Sequence, residues 1–284
     1  MKTYNIAGYI LMLLYCVLAA AFAPSDWNPW IGLAVGLAYL LLIWFWGGVY
    51  VALFLHLGVA HRALDFNEGF SKIVTIAYNT LGIYVNPTTW VNRHRHHHSY
   101  SDKPGDPNKL DEDGFWRTMY LLFFPYKCIS NLATDKICSS WTFRLVSNSY
   151  YAVFSQISSY CVLWLILGDW KYALTLWLGV RIFAVWVNMI QNYWTHDRRF
   201  GTRRYADDDN AMNITEWLPV TATFSACLQN NHHHYSPLVR LSHDTNEYDF
   251  GFMVVRFLKA CGLVEATDSG LRMPADISLQ EVGL

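Results

Sequence analysis

The chain has little charge for its length. Asp, Glu, Lys and Arg make up 15% of its 284 residues, against roughly 25% in a soluble globular domain. Its net charge is −1 and no basic face stands out, which argues against binding to nucleic acid. The six cysteines are dispersed without a CxxC pair, which excludes a disulfide framework and a thiolate metal site. The sequence also lacks an HPGG haem box and a flavin or NAD fingerprint, so any electrons must come from a partner.

Apolar sequence takes the place of charge and makes up 53% of the chain. A helix that spans a bilayer needs about 20 mostly apolar residues. Four segments meet or approach this length: 6–23, 31–55, 151–167 and 172–190. The connections within each successive pair are short, so the sequence predicts two transmembrane hairpins. A fifth apolar segment, 74–91, contains polar residues and a proline; we expect it to be interfacial or re-entrant, with a spanning helix as the alternative.

The distribution of charge indicates how these helices lie in the membrane. Only Lys171 lies in a hairpin tip and only Arg181 lies inside a span, while the other 19 of the 21 Lys and Arg residues share the side of both termini. The positive-inside rule makes that side cytoplasmic. The first segment resembles a secretory signal, but its removal would place the histidine groups on opposite sides of the membrane. We therefore expect a retained first helix, with a cleaved signal peptide as the alternative.

These features predict the fold class. We expect an all-α, multi-pass membrane protein with four transmembrane helices in two hairpins. The other residues, 56–150 and 191–284, would form a cytoplasmic helical cap with both termini on that side. No internal repeat, low-complexity tract or linker divides the chain, so we expect a single domain over residues 1–284.

Histidine is concentrated at the ends of the apolar segments. Ten of the eleven histidines fall into four groups: His56 and His61; His94, His96, His97 and His98; His196; and His232, His233 and His234. Neutral imidazole is the commonest protein ligand for a transition metal, and all-imidazole sites suit Zn, Cu, Fe and Ni. The grouping therefore predicts a metal centre at the membrane surface, with enough ligands for two ions. A site beside apolar spans favours a lipid-soluble substrate, and oxidation of an unactivated C–H bond by O2 at two iron ions is the preferred chemistry.

The spacing within the groups indicates which side chains act together. Residues at i, i+3 and i+4 share one face of a helix, as His94, His97 and His98 would, and this trio could bind metal together. The same offsets recur at Gln229, His232 and His233. By contrast, His56 and His61 are about 140° apart on an α-helix, which suits a helix end or two different ions. Asn192 and His196 are one helical turn apart. His96 and His234 are next to residues of the i, i+3, i+4 pattern but do not fit it themselves. His243 lies outside all four histidine groups.

The order of these groups is that of a known family. Residues 56–61, 94–98 and 229–233 match the boxes HxxxxH, HxxHH and (H/Q)xxHH of the membrane fatty acid desaturases. Residues 101–107 resemble the SDxxGDP run of the acyl-CoA desaturase branch, and residues 192–196 resemble its NxxxH element. Glutamine at position 229, where this branch usually has histidine, is a departure. The chain therefore resembles the membrane fatty acid desaturases, and most closely their acyl-CoA branch.

The resemblance implies an oxidoreductase with two Fe ions. Such an enzyme uses O2 and two electrons to remove two hydrogens from a fatty acyl chain and leaves a cis double bond. The implied iron ligands are His56, His61, His94, His97, His98, His196, His232 and His233. Asn192 would position a water, and Gln229 would be a ligand or a neighbour of one. Asp102 and Asp106 could orient ligating imidazoles or be ordinary turn residues, and His234 would replace His232 if the last pair is read one residue later.

The substrate and the electron donor are less defined. Four arginines follow the fourth span: Arg198, Arg199, Arg203 and Arg204. They could contact the anionic head of an acyl carrier or anchor the chain at the lipid surface; only Arg203 also matches a Gly-x-Arg element of the branch. The acyl group could be linked to CoA, carrier protein or lipid, and the donor could be a ferredoxin or cytochrome b5 with its reductase. A di-iron hydroxylase or acetylenase is the enzymatic alternative, and a non-enzymatic metal-binding membrane protein is the distant one.

Overall fold

The computed structural model describes residues 2–108, 114–124, 127–128, 130–272, 274 and 277, and these residues are mostly helical. The first elements are α1 (Thr3–Ala21), α2 (Pro29–Gly47), a π-helix (Gly48–Ala60), β1 (Leu64–Phe66), α3 (Glu68–Leu81), α4 (Pro87–Tyr100) and α5 (Gly114–Phe123). The next elements are a 3₁₀ turn (Lys136–Ser139), α6 (Trp141–Val146), α7 (Ser149–Leu167), α8 (Trp170–Asn192) and a second 3₁₀ turn (Trp194–His196). The last elements are α9 (Trp217–Ala222), α10 (Gln229–His234), α11 (Phe250–Ala260), β2 (Val264–Ala266) and α12 (Asp268–Leu271). The predicted cap extends past residue 277, and that part lies outside the described residues.

Four helical segments are long and apolar enough to cross a membrane: Thr3–Ala21, Pro29–Ala60, Ser149–Leu167 and Trp170–His196. They coincide with the four predicted segments, which confirms that part of the prediction. Large apolar side chains stay exposed on these helices, such as Leu13 on α1 and Leu165 on α7, which are 67% and 79% exposed. A helix that is apolar on all sides suits a lipid environment, because exposure of so much apolar surface to water would be unfavourable.

The fifth apolar segment is divided between two helices. α3 ends at Leu81 and α4 begins at Pro87, and neither is among the candidate spans. Asn86 starts α4, since its side chain accepts a hydrogen bond from the backbone N–H of Thr89. Pro87 fits the first turn because its missing N–H would have no partner there. The alternative of a single spanning helix over residues 74–91 is therefore wrong.

Small residues let α1, α2 and α8 approach closely. Gly36 of α2 faces Ala19 of α1 and Leu176 of α8, and no room remains for a Cβ at this position. Beside it, the Tyr15 hydroxyl donates a hydrogen bond of 2.7 Å to the carbonyl oxygen of Gly36. Glycine and alanine at such crossings are typical of helices that associate in membranes, where packing replaces the hydrophobic effect. These contacts hold α1 against the helices that carry the site.

Replacing Gly36 by leucine should destabilise the helix bundle. The new side chain would overlap Ala19 and Leu176, and overpacking of this kind costs about 1–3 kcal/mol. We expect a lower midpoint of thermal unfolding for the purified protein in detergent. Ala38→Leu is the matched control because Ala38 lies on the exposed face of the same helix. Equal midpoints for the two variants would contradict the close crossing at Gly36.

The carboxyl-terminal elements close over the end of the π-helix. β1 pairs with β2 in an antiparallel register that sets Asp65 opposite Glu265. The backbone N–H of Thr267 donates to the carbonyl oxygen of Ala63 at 3.0 Å. The main hydrophobic core continues from the π-helix into α11, for instance through Val255. Residues that follow the first histidine pair are thereby fixed to an element far along the chain.

Candidate metal centre

Eight of the eleven histidines converge in two groups. The five-histidine cluster consists of His56, His61, His94, His98 and His232. The three-histidine cluster consists of His97, His196 and His233. Within each cluster, one ring nitrogen from every member lies within 4.8 Å of those of the other members. The clusters adjoin each other, since the rings of His98 and His233 are centred 4.5 Å apart.

The π-helix brings His56 and His61 into the same cluster. The backbone N–H of His61 donates to the carbonyl oxygen of His56 at 3.0 Å, which is the i→i+5 hydrogen bond of this helix type. Five residues therefore make close to one turn, and the two rings are centred 5.0 Å apart. The pair was expected to serve a helix end or two different ions. The structure agrees with the helix end, since the helix ends at His61, and disagrees with a separation into two groups.

α4 and α10 each contribute to both clusters. His94 and His98 of α4 are one turn apart and enter the five-histidine cluster, while His97 enters the other. The expectation that the three would bind one ion together is therefore wrong, because successive residues of an α-helix diverge by about 100°. For the same reason the neighbours His232 and His233 on α10 face different clusters. His234 belongs to neither, so this geometry favours the pair at positions 232 and 233.

The geometry of the five-histidine cluster fits a metal ion. The Nε2 atom of His232 lies 2.9 Å from that of His56 and 3.1 Å from that of His98. The Nε2 atoms of His61 and His94 are 2.8 Å apart. Imidazole nitrogens bound to one ion at about 2.1 Å and at right angles would be about 3.0 Å apart. A neutral imidazole has only one N–H, so these nitrogens cannot all donate to one another, and a shared cation would satisfy their lone pairs.

The protonation state also suits a metal ligand. Burial, and then repulsion by neighbouring imidazoles, lowers the pKa of four rings well below the usual value for histidine: His61, His94, His98 and His232. Burial also lowers the pKa of His233 to about 4, although the hydrogen bond to Asp209 opposes this. Neutral rings keep a lone pair for a metal at neutral pH.

Each ring of the three-histidine cluster has its own carboxylate partner. The Nδ1 atom of His97 lies 2.9 and 3.1 Å from the two carboxylate oxygens of Asp106. The Nδ1 atom of His196 lies 3.1 Å from Asp102, and that of His233 lies 2.7 Å from Asp209. A carboxylate that accepts from Nδ1–H leaves Nε2 with its lone pair for a metal.

These carboxylates are charged despite their burial. Burial by itself would raise their pKa, but the facing imidazoles and backbone N–H donors outweigh it. The pKa of Asp102 and Asp106 is therefore below the usual value, and that of Asp209 falls to about 2. In the described part of the chain no carboxylate contacts the five-histidine cluster, where His98 Nδ1 instead lies 3.2 Å from the Ser236 hydroxyl. The two clusters therefore differ in charge.

Asp209 is a carboxylate partner of the three-histidine cluster that the sequence motifs do not identify. It lies in a run of three aspartates at 207–209, between the third and fourth histidine groups. Arg198 and Arg203 fix this loop by donating to the carbonyl oxygen of Asp209 at 2.9 and 2.6 Å. The acidic run among arginines was the only available signal in the sequence. Its relevance depends on the return of the loop to α10, which spacing does not reveal.

Of the two predicted polar residues, Gln229 contacts the three-histidine cluster, whereas Asn192 makes its side-chain hydrogen bond within α8. The Gln229 side chain is buried, and its Nε2 atom lies 2.9 Å from Nε2 of His233. Rotation of this amide by 180° would direct its oxygen into the three-histidine cluster. The Asn192 amide donates to the carbonyl oxygen of Asn188 at 2.8 Å, one turn back along α8. The water-positioning role of Asn192 stays a prediction.

Three histidines lie outside both clusters. His96 is buried with Nε2 2.8 Å from the carbonyl oxygen of Ser130. His234 stacks on Tyr205 and lies 2.8 Å from Asp207 through Nδ1, and His243 is buried beside the same tyrosine. Each has a local structural contact that accounts for it.

The four arginines after the fourth span all contact neighbouring parts of the chain. Arg198 and Arg203 bind the loop that carries Asp209, as described above. Arg204 pairs with Asp244 at 3.3 Å, and Arg199 pairs with Asp197. The Arg199 side chain is 74% exposed, which makes it the most accessible of those with an ion pair. Their contact with an acyl headgroup stays a prediction.

A cavity of about 90 Å³ lies between α2, the π-helix and α8, and one end of it is lined by residues that precede cluster histidines in the chain. At this end it is lined by Ala52, one turn before His56, and by Gln191, five residues before His196. The remainder of the lining is mostly apolar and includes Leu40, Ile43, Val180, Phe183, Val187 and Phe224. The cavity therefore has the narrow, apolar character that suits an alkyl chain.

Comparison with known proteins agrees with the motifs. The family model described as "Fatty acid desaturase" matches residues 28–243. An sn-1 stearoyl-lipid 9-desaturase of Anabaena variabilis is 30% identical over 248 residues, which cover 86% of each chain. The Delta-9 acyl-lipid desaturase 1 of Arabidopsis thaliana is 25% identical and is aligned over 83% of this chain and 75% of its own. A hex-5-enoyl-[acyl-carrier protein] acetylenase of Moorena producens is 28% identical over 86% of this chain and 79% of its own.

Proposed function

The chain belongs to the fatty acid desaturase family, and from this membership we propose how its residues carry out the reaction. It is an oxidoreductase that desaturates a fatty acyl chain. The overall change consumes O2, two electrons and two protons, removes two hydrogens from adjacent carbons, and yields a cis double bond and two waters. The convergence of eight histidines, four of them buried and four half-buried, beside an apolar cavity is the observation that carries this proposal.

Two iron ions would be held by the two clusters. When bound, they would supply the activation of O2 that removal of hydrogen from an unactivated carbon requires. The five-histidine cluster provides five neutral imidazoles, which fills most positions around one ion. The three-histidine cluster provides three, and the amide oxygen of Gln229 and a water held by Asn192 would complete its set. Asp102, Asp106 and Asp209 would fix the ring orientations through Nδ1.

The acyl chain would occupy the apolar cavity. Ala52 and Gln191 would lie nearest the reacting carbons, because each precedes a cluster histidine on its helix. The apolar lining would hold the chain in one path and exclude water from the reacting carbons. The acyl carrier would remain outside, and its head is the group that Arg199 or the other three arginines could contact.

The arrangement in the membrane follows from the helices and their charges. We propose that α1 with α2, and α7 with α8, form two hairpins within a single domain, and that the metal centre and both termini are cytoplasmic. Retention of α1 is supported by its contacts, since the Trp186 indole donates to the carbonyl oxygen of Tyr4 at 2.9 Å. The Tyr4 hydroxyl also donates to Glu216 at 2.8 Å, beside α9. Membrane lipid would surround the spans, and an external carrier such as a ferredoxin or cytochrome b5 would deliver electrons to the cap.

An acetylenase is the second candidate. The relative from Moorena producens carries that name, and its likeness to this chain is close to that of the desaturases. The same ligand set would then remove two hydrogens from an existing alkene and leave a triple bond. The acyl carrier in this case would be a carrier protein, as that relative's name states.

Expression in a host without desaturase activity tests these assignments. We expect a new cis alkene in the acyl lipids, located by fragmentation in mass spectrometry, and none in cells that carry the His97→Ala variant. An alkyne formed from added alkenyl substrate would favour the acetylenase. A hydroxylated product without any new alkene or alkyne would contradict both and indicate a hydroxylase.

A further inference from the structure

Arg181 is a charged residue in the middle of a candidate span. It lies on α8, eleven residues from Trp170 and eleven from Asn192. A charged side chain at the centre of a membrane helix costs about 2.5–3.5 kcal/mol on insertion scales, so such residues usually have a specific role. The desaturation mechanism above does not use it.

Neutral groups from four elements surround its guanidinium, and the one from α2 is the Tyr39 hydroxyl. Nη2 donates to the Gln156 amide oxygen at 3.0 Å, to the Ser159 hydroxyl at 3.1 Å and to the carbonyl oxygen of Gly82 at 3.1 Å. Nη1 donates to the carbonyl oxygen of Trp177 at 3.0 Å, and the guanidinium lies 3.4 Å from the centre of the Trp177 ring. Among the described residues no carboxylate pairs with it. These contacts fix the guanidinium between α7, α8 and the end of α3. We refer to Arg181 together with Gln156, Ser159 and the carbonyl oxygen of Gly82 as the plate.

The plate adjoins the end of the proposed acyl cavity that is away from the clusters, through residues next to it in the chain. Val180 and Ile83 line the cavity, and each is the chain neighbour of a residue in the plate, Arg181 and Gly82 respectively. On α8 the lining runs from Val180 to Gln191, which is about 16 Å at 1.5 Å per residue. An extended alkyl chain advances about 1.25 Å per carbon–carbon bond of about 1.5 Å, so roughly a dozen carbons span this length.

We propose that Arg181, with Gln156, Ser159 and the carbonyl oxygen of Gly82, forms the fixed end of the acyl cavity and sets the longest acyl tail that the enzyme accepts. The inference rests on the proposed function in one respect, namely that an acyl chain occupies this cavity. An end wall of leucine or methionine could rotate and admit further carbons. The guanidinium cannot move without leaving several buried acceptors unpaired, so the length limit is sharp.

The test is the conversion of saturated acyl substrates of graded length by the full-length enzyme in lipid vesicles, with products located by mass spectrometry. The double variant Arg181→Met with Gln156→Leu removes the charge together with its main acceptor. We expect about tenfold better conversion of a substrate one step beyond the wild-type limit, since a pocket discriminates a methylene by roughly 10–200-fold. The double-bond position, counted from the carboxyl end, should not change.

Two further variants keep the test decisive if the double variant folds poorly. Ile83→Trp fills the cavity in front of the plate and should shorten the longest accepted tail. Arg256→Met makes the same substitution on the exposed face of α11 and should leave the length limit unchanged. An unaltered limit in Ile83→Trp, or in a double variant that still desaturates with wild-type iron content, would overturn the inference. Absence of any alkene from the wild-type enzyme would instead count against the proposed function.

Discussion

Replacing His232 by alanine is expected to reduce desaturation to background. His232 is fully buried, and its Nε2 atom is within 3.1 Å of two other ring nitrogens of the five-histidine cluster. Loss of a direct ligand should exceed the 10–100-fold effect typical of groups that only orient ligands. We expect more than about a 100-fold loss of product by lipid mass spectrometry. Elemental analysis should show that iron has fallen from two ions per chain.

The neighbouring histidine provides the control. His234 is in the same helical turn but contacts Asp207 and Tyr205 outside both clusters. His234→Ala should therefore retain iron and most of the activity, and near-native circular dichroism should accompany both variants. If His234→Ala loses iron while His232→Ala does not, the last histidine pair is at positions 233 and 234 and the cluster assignment is wrong.

Neutralising the carboxylates of the three-histidine cluster should remove one iron selectively. Asparagine at position 102, 106 or 209 keeps an acceptor for Nδ1–H but loses the negative charge that favours a metal-bound imidazole. Changes to such partners typically weaken metal binding by 10–100-fold. We therefore expect iron to fall from about two ions towards one per chain in Asp106→Asn and Asp209→Asn, because the five-histidine cluster has no carboxylate contact among the described residues.

Asp207→Asn is the matched control, since Asp207 pairs with His234 in the same way but outside both clusters. Iron content should be measured after dialysis against a graded chelator, so that affinity and stoichiometry are obtained together. Equal loss from both clusters, or from Asp207→Asn as well, would show that these carboxylates act on overall stability.

The eight histidines that converge could be identified from the sequence, whereas their partition into two groups could not. The i, i+3, i+4 offsets on α4 located His94, His97 and His98, but these offsets alone could not tell that a second cluster lies on the side that His97 faces. The grouping of His56 with His61 depends on π-helical winding, which the helix propensities of the individual residues do not predict. Asp209 depends on a loop whose return to α10 is a long-range contact. Burial and tertiary hydrogen bonds, absent from the sequence pattern, decide these cases.

The four apolar segments were predicted to within a few residues, since length and composition alone define a span. The segment at 74–91 was harder because composition did not indicate where the chain would bend. The turn became clear only from the cap at Asn86 and the end of α3. The guanidinium groups of Arg198 and Arg203 donate to the carbonyl oxygen of Asp209, a contact that the sequence did not indicate, and their contact with an acyl headgroup stays a prediction.

The winding of residues 48–60 makes the first box sensitive to length more than to composition. Each residue adds a fixed rotation about the helix axis, about 100° in an α-helix and less in the wider π-helix, so losing or gaining a single residue there would turn one imidazole away from its companions. Substitutions that preserve the number of residues leave the helical rotation of the backbone unchanged. Insertions and deletions between Gly48 and His61 therefore disrupt the centre even where every histidine is retained, and the number of residues in this stretch is itself a functional quantity.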